Sequence, residues 1–183
     1  VFGEIETARW MAGSNGFTRT GKEQAGNAAE TAGDDALVQI AIVYRGQQVT
    51  IHRNGEKYAD YSAGGAETFG EDSFVLLGLR HLAAGAKNRF YLGAIEDARI
   101  YDVALDADQI RALQPNEPST PEPFAWWNFE EGRATDRMGA FPTGTLVGGA
   151  AVVDGRLVLP EEGACLMASR LRPEDLLADK GAN

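Results

Sequence analysis

The chain has 183 residues, of which 44% are hydrophobic and 24% charged, a length and balance that suit one globular domain or slightly more, with a core that needs no disulfide or metal staple. Seventeen Lys and Arg against 27 Asp and Glu leave a net charge of −10, which argues against nucleic acid or an anionic membrane surface as partner, because both require a clustered excess of cations. The longest apolar run, around Ile40, is strand-sized rather than the about 18 residues that span a bilayer, and a single cysteine, Cys165, excludes an internal disulfide framework or a multi-cysteine zinc site.

Val1 opens the chain without an initiator Met and without a basic region followed by an apolar one, so the expectation is a piece of a longer protein. Residues 3–13 alternate, with Glu4, Glu6, Ala8, Trp10 and Ala12 on one side of a predicted strand. Residues 17–35 have neither helical nor strand period and read as a long surface loop. Residues 37–44 are almost wholly apolar, which predicts a strand covered on both sides; Arg45-Gly46-Gln47 then turns the chain into a strand over 49–53. Asn54-Gly55 is the strongest turn signal present, since a type I′ turn needs positive φ at both central positions, and residues 57–62 should pair back. Residues 74–79 read as another buried strand and 89–101 as one long strand. Asp106 then caps a short helix, with Gln109 reaching back and with Ile110 and Leu113 on its packed face.

Pro115, Pro118, Pro121 and Pro123 make residues 114–123 a stiff extended connector. Beyond it, residues 124–129, 145–147, 151–153 and 156–159 read as short strands broken by Gly148-Gly149 and Asp154-Gly155. The tail from 171 to 183 is polar and is expected either to form a short helix around 174–177 or to fray.

The run Val38 to Tyr44, the hairpin Val49 to Gly55, Leu77-Gly78, and the pattern G-x-I-E-D-x-R-I-Y-x-x-A-L over 93–105 followed by Ile110 and Leu113 resemble the closing half of a laminin-G-like domain of the concanavalin A-like lectin and glucanase superfamily. Residues 125–159, with W-x-F-E-x-G at 127–132 and D-G-R-L-V-L at 154–159, resemble the opening half. The resemblance implies an all-β, concanavalin A-like jelly-roll β-sandwich with one short helix. Its order is reversed, so the chain divides into a sandwich portion (1–113), the connector (114–123), strands that complete the sandwich or begin a second domain (124–170), and the tail (171–183). Completion is the favoured alternative, because a half-sandwich would leave bare edges and an apolar face.

Glucanases of the superfamily carry three alternating acids on one strand, and retaining hydrolysis needs two carboxyls about 5 Å apart. Glu4 and Glu6 resemble part of that set, at a spacing of roughly 7 Å along one face. Ala8 and Arg9 stand where the third acid belongs, so no catalytic residue is assigned. Trp10 on the same face suits a sugar-stacking surface beside carboxylates, or else packs in the core. Of Trp126 and Trp127, adjacent on a strand, one should face the core; the other could stack on sugar, but cover by the connector or by a neighbouring domain is the favoured reading. His52 reads as a surface residue of the hairpin, and His81 follows Arg80 in a loop.

Superfamily members often hold Ca²⁺ near strands such as 93–105. That makes Asp97 a candidate metal ligand, with Asp136 and Asp154 as helpers, against the alternative of a strand-end residue that pairs with Arg. The resemblance thus implies a non-catalytic, carbohydrate-binding accessory module of a larger secreted bacterial glycoside hydrolase, similar to those attached to fructan-cleaving enzymes. Glu4, Glu6, Trp10, Arg80 and His81 would contact a glycan, a covalently linked catalytic domain would be the partner, and the location would be extracellular or periplasmic. The alternatives are a structural or adhesion sandwich that binds no sugar, and an autonomous glucanase.

Overall fold

The computed structural model describes residues 2, 7–13, 27–64, 68–70, 72–80 and 90–169. Eleven strands and one helix lie among them, and the chain forms two compact units that are each discontinuous in sequence, one of residues 1–68 and 103–114, the other of 69–102 and 115–183.

The first unit is built on a three-stranded antiparallel sheet of β1 (Ile40–Arg45), β2 (Gln48–Arg53) and β3 (Glu56–Ser62), in that order. Gly46 and Gln47 connect β1 to β2. Asn54-Gly55 connects β2 to β3 with φ of 50° and 79°, the pair of positive values that a type I′ turn demands. Ile42, Ile51 and Ala59 lie opposite one another across the three strands, as do Tyr44, Val49 and Tyr61. Val49, Ile51 and Ala59 form a small core with Ala12. Among the described residues β1 is half-buried and pairs with β2 alone, so the expected strand covered on both sides is there an edge strand: apolar composition records what a strand can bury, while its place in the sheet sets how much it does bury.

Helix α1 (Ala107–Ala112) starts where the sequence places it. Asp106 accepts from the Gln109 backbone N–H at 2.8 Å, and the Gln109 amide oxygen accepts from the Asp106 N–H at 2.9 Å, a closed capping box. Ile110 is fully buried. The helix docks at the turn end of the hairpin: the Gln39 amide donates to the Ile110 carbonyl, and a Cβ on Gly55 would sit 3.1 Å from the Arg111 Cα. His52 is at this end and is 6% exposed, a correction to its reading as a surface residue. Alternation chose its side of the sheet, but it could not tell that the side is covered there.

The second unit holds the larger core. Its sheets are ordered β5-β10-β9, β4-β11-β8 and β6-β7, from β4 (Phe74–Leu77), β5 (Gly93–Ile95), β6 (Ala98–Ile100), β7 (Ala125–Trp127), β8 (Thr145–Val147), β9 (Ala151–Val153), β10 (Arg156–Leu159) and β11 (Cys165–Ser169). Trp127, Leu157, Leu159, Leu166 and Ala168 meet in one cluster, with Val75, Leu77, Ile95 and Val152 packed against it. Each of the pairs β4–β11, β5–β10 and β6–β7 joins a strand from before residue 101 to one from after residue 124. Asp154-Gly155, with φ of 49° and 75°, closes the β9–β10 hairpin.

The single long strand expected over 89–101 is broken at Glu96 and Asp97, because β5 pairs with β10 whereas β6 pairs with β7. Strand β11 is absent from the sequence reading, although Cys165 within it is buried as a small hydrophobe should be. Among the described residues the architecture is all-β with one short helix, consistent with the expected concanavalin A-like β-sandwich. The tail beyond 169 lies outside the described residues.

Candidate functional site

In the first unit the polar centre is Glu30, 10% exposed at its side chain. It comes from a stretch with no regular structure, yet its carboxylate accepts five hydrogen bonds. The Arg53 guanidinium donates twice, from Nε at 2.8 Å and from a terminal nitrogen at 2.5 Å. The Trp10 indole donates at 2.7 Å, and the backbone N–H groups of Thr31 and Ala32 donate at 2.9 and 2.8 Å. The Arg53 fork above all, against the opposing effect of burial, holds the Glu30 carboxyl far below the usual carboxylate range. Tyr58 donates to the Ala28 carbonyl at 2.6 Å and accepts from the Trp10 backbone N–H at 3.3 Å. Loop, hairpin and Trp10 are therefore bound into one network.

Trp10 is partly exposed. Phe2 packs on it with ring centroids 4.5 Å apart, tilted by 45°. Residues 3–6 lie outside the described residues, and over 7–13 the expected single strand is replaced by a turn at Thr7 and Ala8, where Ala8 has a φ of 59°, and by a bridge from Phe2 to Trp10. A turn resets the period of two, so Trp10 owes its place to Glu30. Of the other residues assigned to a glycan, Glu4, Glu6 and His81 lie outside the described residues. Arg80 is half-buried in the second unit, and burial holds its guanidinium below its ordinary value.

The second unit brings residues from before and after the proline-rich connector together at Asp97. Its carboxylate accepts from Arg99 twice at 2.9 Å, from the Trp126 indole at 2.9 Å and from the Asn116 backbone N–H at 2.8 Å. Arg99 and Arg137 stack over the Trp126 ring at 4.5 and 4.6 Å from its centroid, within cation–π range. Burial opposes the charge on Arg99, but the hydrogen bonds to Asp97 and Tyr101 outweigh it and raise its pKa. Trp126 is 5% exposed and Trp127 1%. Of the two fates expected for the Trp that leaves the core, cover rather than sugar stacking is the one displayed: alternation turns Trp126 from the core, and the two guanidiniums and Asp97, rather than the connector alone, cover it.

Asp136 is buried and accepts from the backbone N–H groups of Trp126, Met138 and Phe141 at 2.8 to 3.0 Å, which pins the loop after β7. These carboxylates do not fit a resident Ca²⁺. The donors on Asp97 and Asp136 would have to leave before either bound a cation, and Arg99 stands beside Asp97 with a like charge. Among the described residues no group of three or more His, Cys, Asp or Glu is placed to hold a metal ion.

Residues 4–111 match the family model Laminin_G_3, described as the concanavalin A-like lectin/glucanases superfamily. This chain belongs to that superfamily. No match is found among curated proteins or among solved structures. The laminin-G match takes in Trp10, Glu30, Arg53, Asp97 and Arg99 and ends before Trp126 and Arg137, so the Asp97 cluster joins matched residues to unmatched ones. Sequence reasoning did not find Glu30, Arg53, Asn116 or Arg137. Glu30 and Asn116 sit in irregular segments with no motif around them, while Arg53 and Arg137 carry one signal only, a cation in a chain with an acidic excess.

Proposed function

We propose that this laminin-G-like chain is a non-catalytic, carbohydrate-directed accessory module of a larger bacterial glycoside hydrolase working outside the cytoplasm, with fructans as the first glycans to test. The observation that carries this reading is Trp10, partly exposed and yet held in place by its indole N–H on Glu30 at 2.7 Å. A preorganised aromatic contributes stacking on the apolar face of a sugar ring without the cost of freezing its rotamer. A binding module linked to a catalytic domain raises the local concentration of polymer at that domain. The partly buried acids Glu30 and Asp97 and the buried Asp136 each hold neighbouring groups in place, which is structural work rather than the paired acid and nucleophile of a glucanase.

A specific observation favours a second reading: Trp126 and Trp127 are both covered, as in a sandwich that packs on neighbours and binds no sugar. Isothermal titration of the chain with levan, inulin, β-glucan, xylan and sucrose separates the two. Saturable binding to one of them, weakened about tenfold or more in Trp10→Ala, supports the carbohydrate module. Silence across the set from a cooperatively folded sample establishes the structural one.

A further inference from the structure

Among the described residues, the Glu30 carboxylate and the Arg53 guanidinium beside Trp10 are already spent on one another. Glu30 receives two donors from Arg53, one from the Trp10 indole and two from the backbone. Arg53 in turn commits Nε and a terminal nitrogen to Glu30. Tyr58 uses its hydroxyl both as donor and as acceptor within the same network. A ligand that settles on Trp10 therefore meets aromatic surface, from Trp10 and from Phe2 at 4.5 Å, beside an ion pair whose charge is internally balanced.

From this geometry we infer that the Trp10 surface selects uncharged sugar rings and discriminates against glycans carrying carboxylate or sulfate groups. The inference rests on the proposed carbohydrate-binding role and narrows its substrate class. An anionic group brought to this surface loses water, and the guanidinium beside it is already engaged by a better-placed carboxylate. The net charge of −10 opposes the approach of a polyanion as well. A neutral ring bears neither cost and keeps the stacking contribution of the indole.

The test is titration of the chain with levan, inulin and β-glucan, each against its carboxymethylated form, at low and high salt. The neutral form should bind about tenfold or more tightly than its carboxymethylated counterpart at low salt, and added salt should narrow the gap by screening. Equal or tighter binding of the carboxymethylated form would overturn the inference while leaving the carbohydrate-binding role in place. No binding of either form by the folded chain would overturn both. Glu30→Gln supplies an independent readout: it strips Arg53 of its carboxylate partner, so the preference for the neutral form should shrink or reverse, whereas an unchanged preference would show that the Arg53–Glu30 balance does not set it.

Discussion

Truncating Asp97 to alanine removes the acceptor shared by Arg99, Asn116 and Trp126, and the structure allows the cost to be worked out. Asp97 holds four hydrogen bonds, and the Arg99 and Asp97 side chains are only 6% and 15% exposed. Without the carboxylate, a guanidinium stays in a buried site, and the Trp126 indole and the Asn116 N–H lose their acceptor. Removing one partner of a buried pair costs about 3–5 kcal/mol. Arg99 retains the Glu117 carbonyl at 2.8 Å and the Trp126 ring, which places the loss near the lower end, about 3–4 kcal/mol. Asp97→Asn keeps the shape and an acceptor while losing the charge, and should cost about 2 kcal/mol. Urea unfolding followed by tryptophan fluorescence reads both. The Ala variant should lower the midpoint by about 1–2 M with the slope unchanged. An Ala variant within about 1 kcal/mol of the parent, or an Asn variant as damaging as Ala, would refute the role of the carboxylate as a charged hub.

Glu30 predicts an acid response with a definite sign. Its folded pKa lies far below its ordinary 4.5, so its contribution to stability is present above that pH and is lost as the pH falls below it. The parent should lose stability on acidification below pH 4.5 more steeply than Glu30→Gln, as measured by urea midpoints across the range; parallel slopes would remove Glu30 from the account. Two glycines separate backbone strain from collision. Gly148 has a φ of 61°, and a Cβ there would lie 2.6 Å from the Gly163 carbonyl oxygen, whereas Gly139, with a φ of 73°, has nothing within 4 Å. Gly148→Ala should therefore cost about 2–4 kcal/mol and Gly139→Ala about 1, and equal costs in thermal unfolding would show that the close approach of the two loops carries no energy.

The candidate site was legible in part, and the boundary between what was read and what was missed has a physical cause. Trp10 and Asp97 stand out in the sequence because large aromatics and strand-end acids are few. What they do depends on Glu30, 20 residues from Trp10, and on Trp126, 29 residues from Asp97, and no local period links such pairs. The arginine-pairing alternative for Asp97 is the one its hydrogen bonds display. Trp126 and Trp127 show the limit plainly: alternation gives the side of a strand, whereas cover comes from Arg99 and Arg137.

The amino-acid sequence by itself determined the features whose energy is settled within a few residues. The turns at Asn54-Gly55 and Asp154-Gly155 follow from backbone sterics, the Asp106–Gln109 box follows from orphan amides at a helix start, and β8, β9 and β10 fall where their β-branched and leucine-rich runs begin and end. The tertiary structure alone decided which strands distant in sequence pair. Many partners fit the same alternation, and β4–β11, β5–β10 and β6–β7 are chosen by burying Trp127, Leu157, Leu159 and Leu166 in one core. It decided likewise that the chain breaks at Glu96 and Asp97, and that a glutamate from an irregular loop anchors Trp10, because both outcomes depend on contacts between residues that only the folded chain brings together.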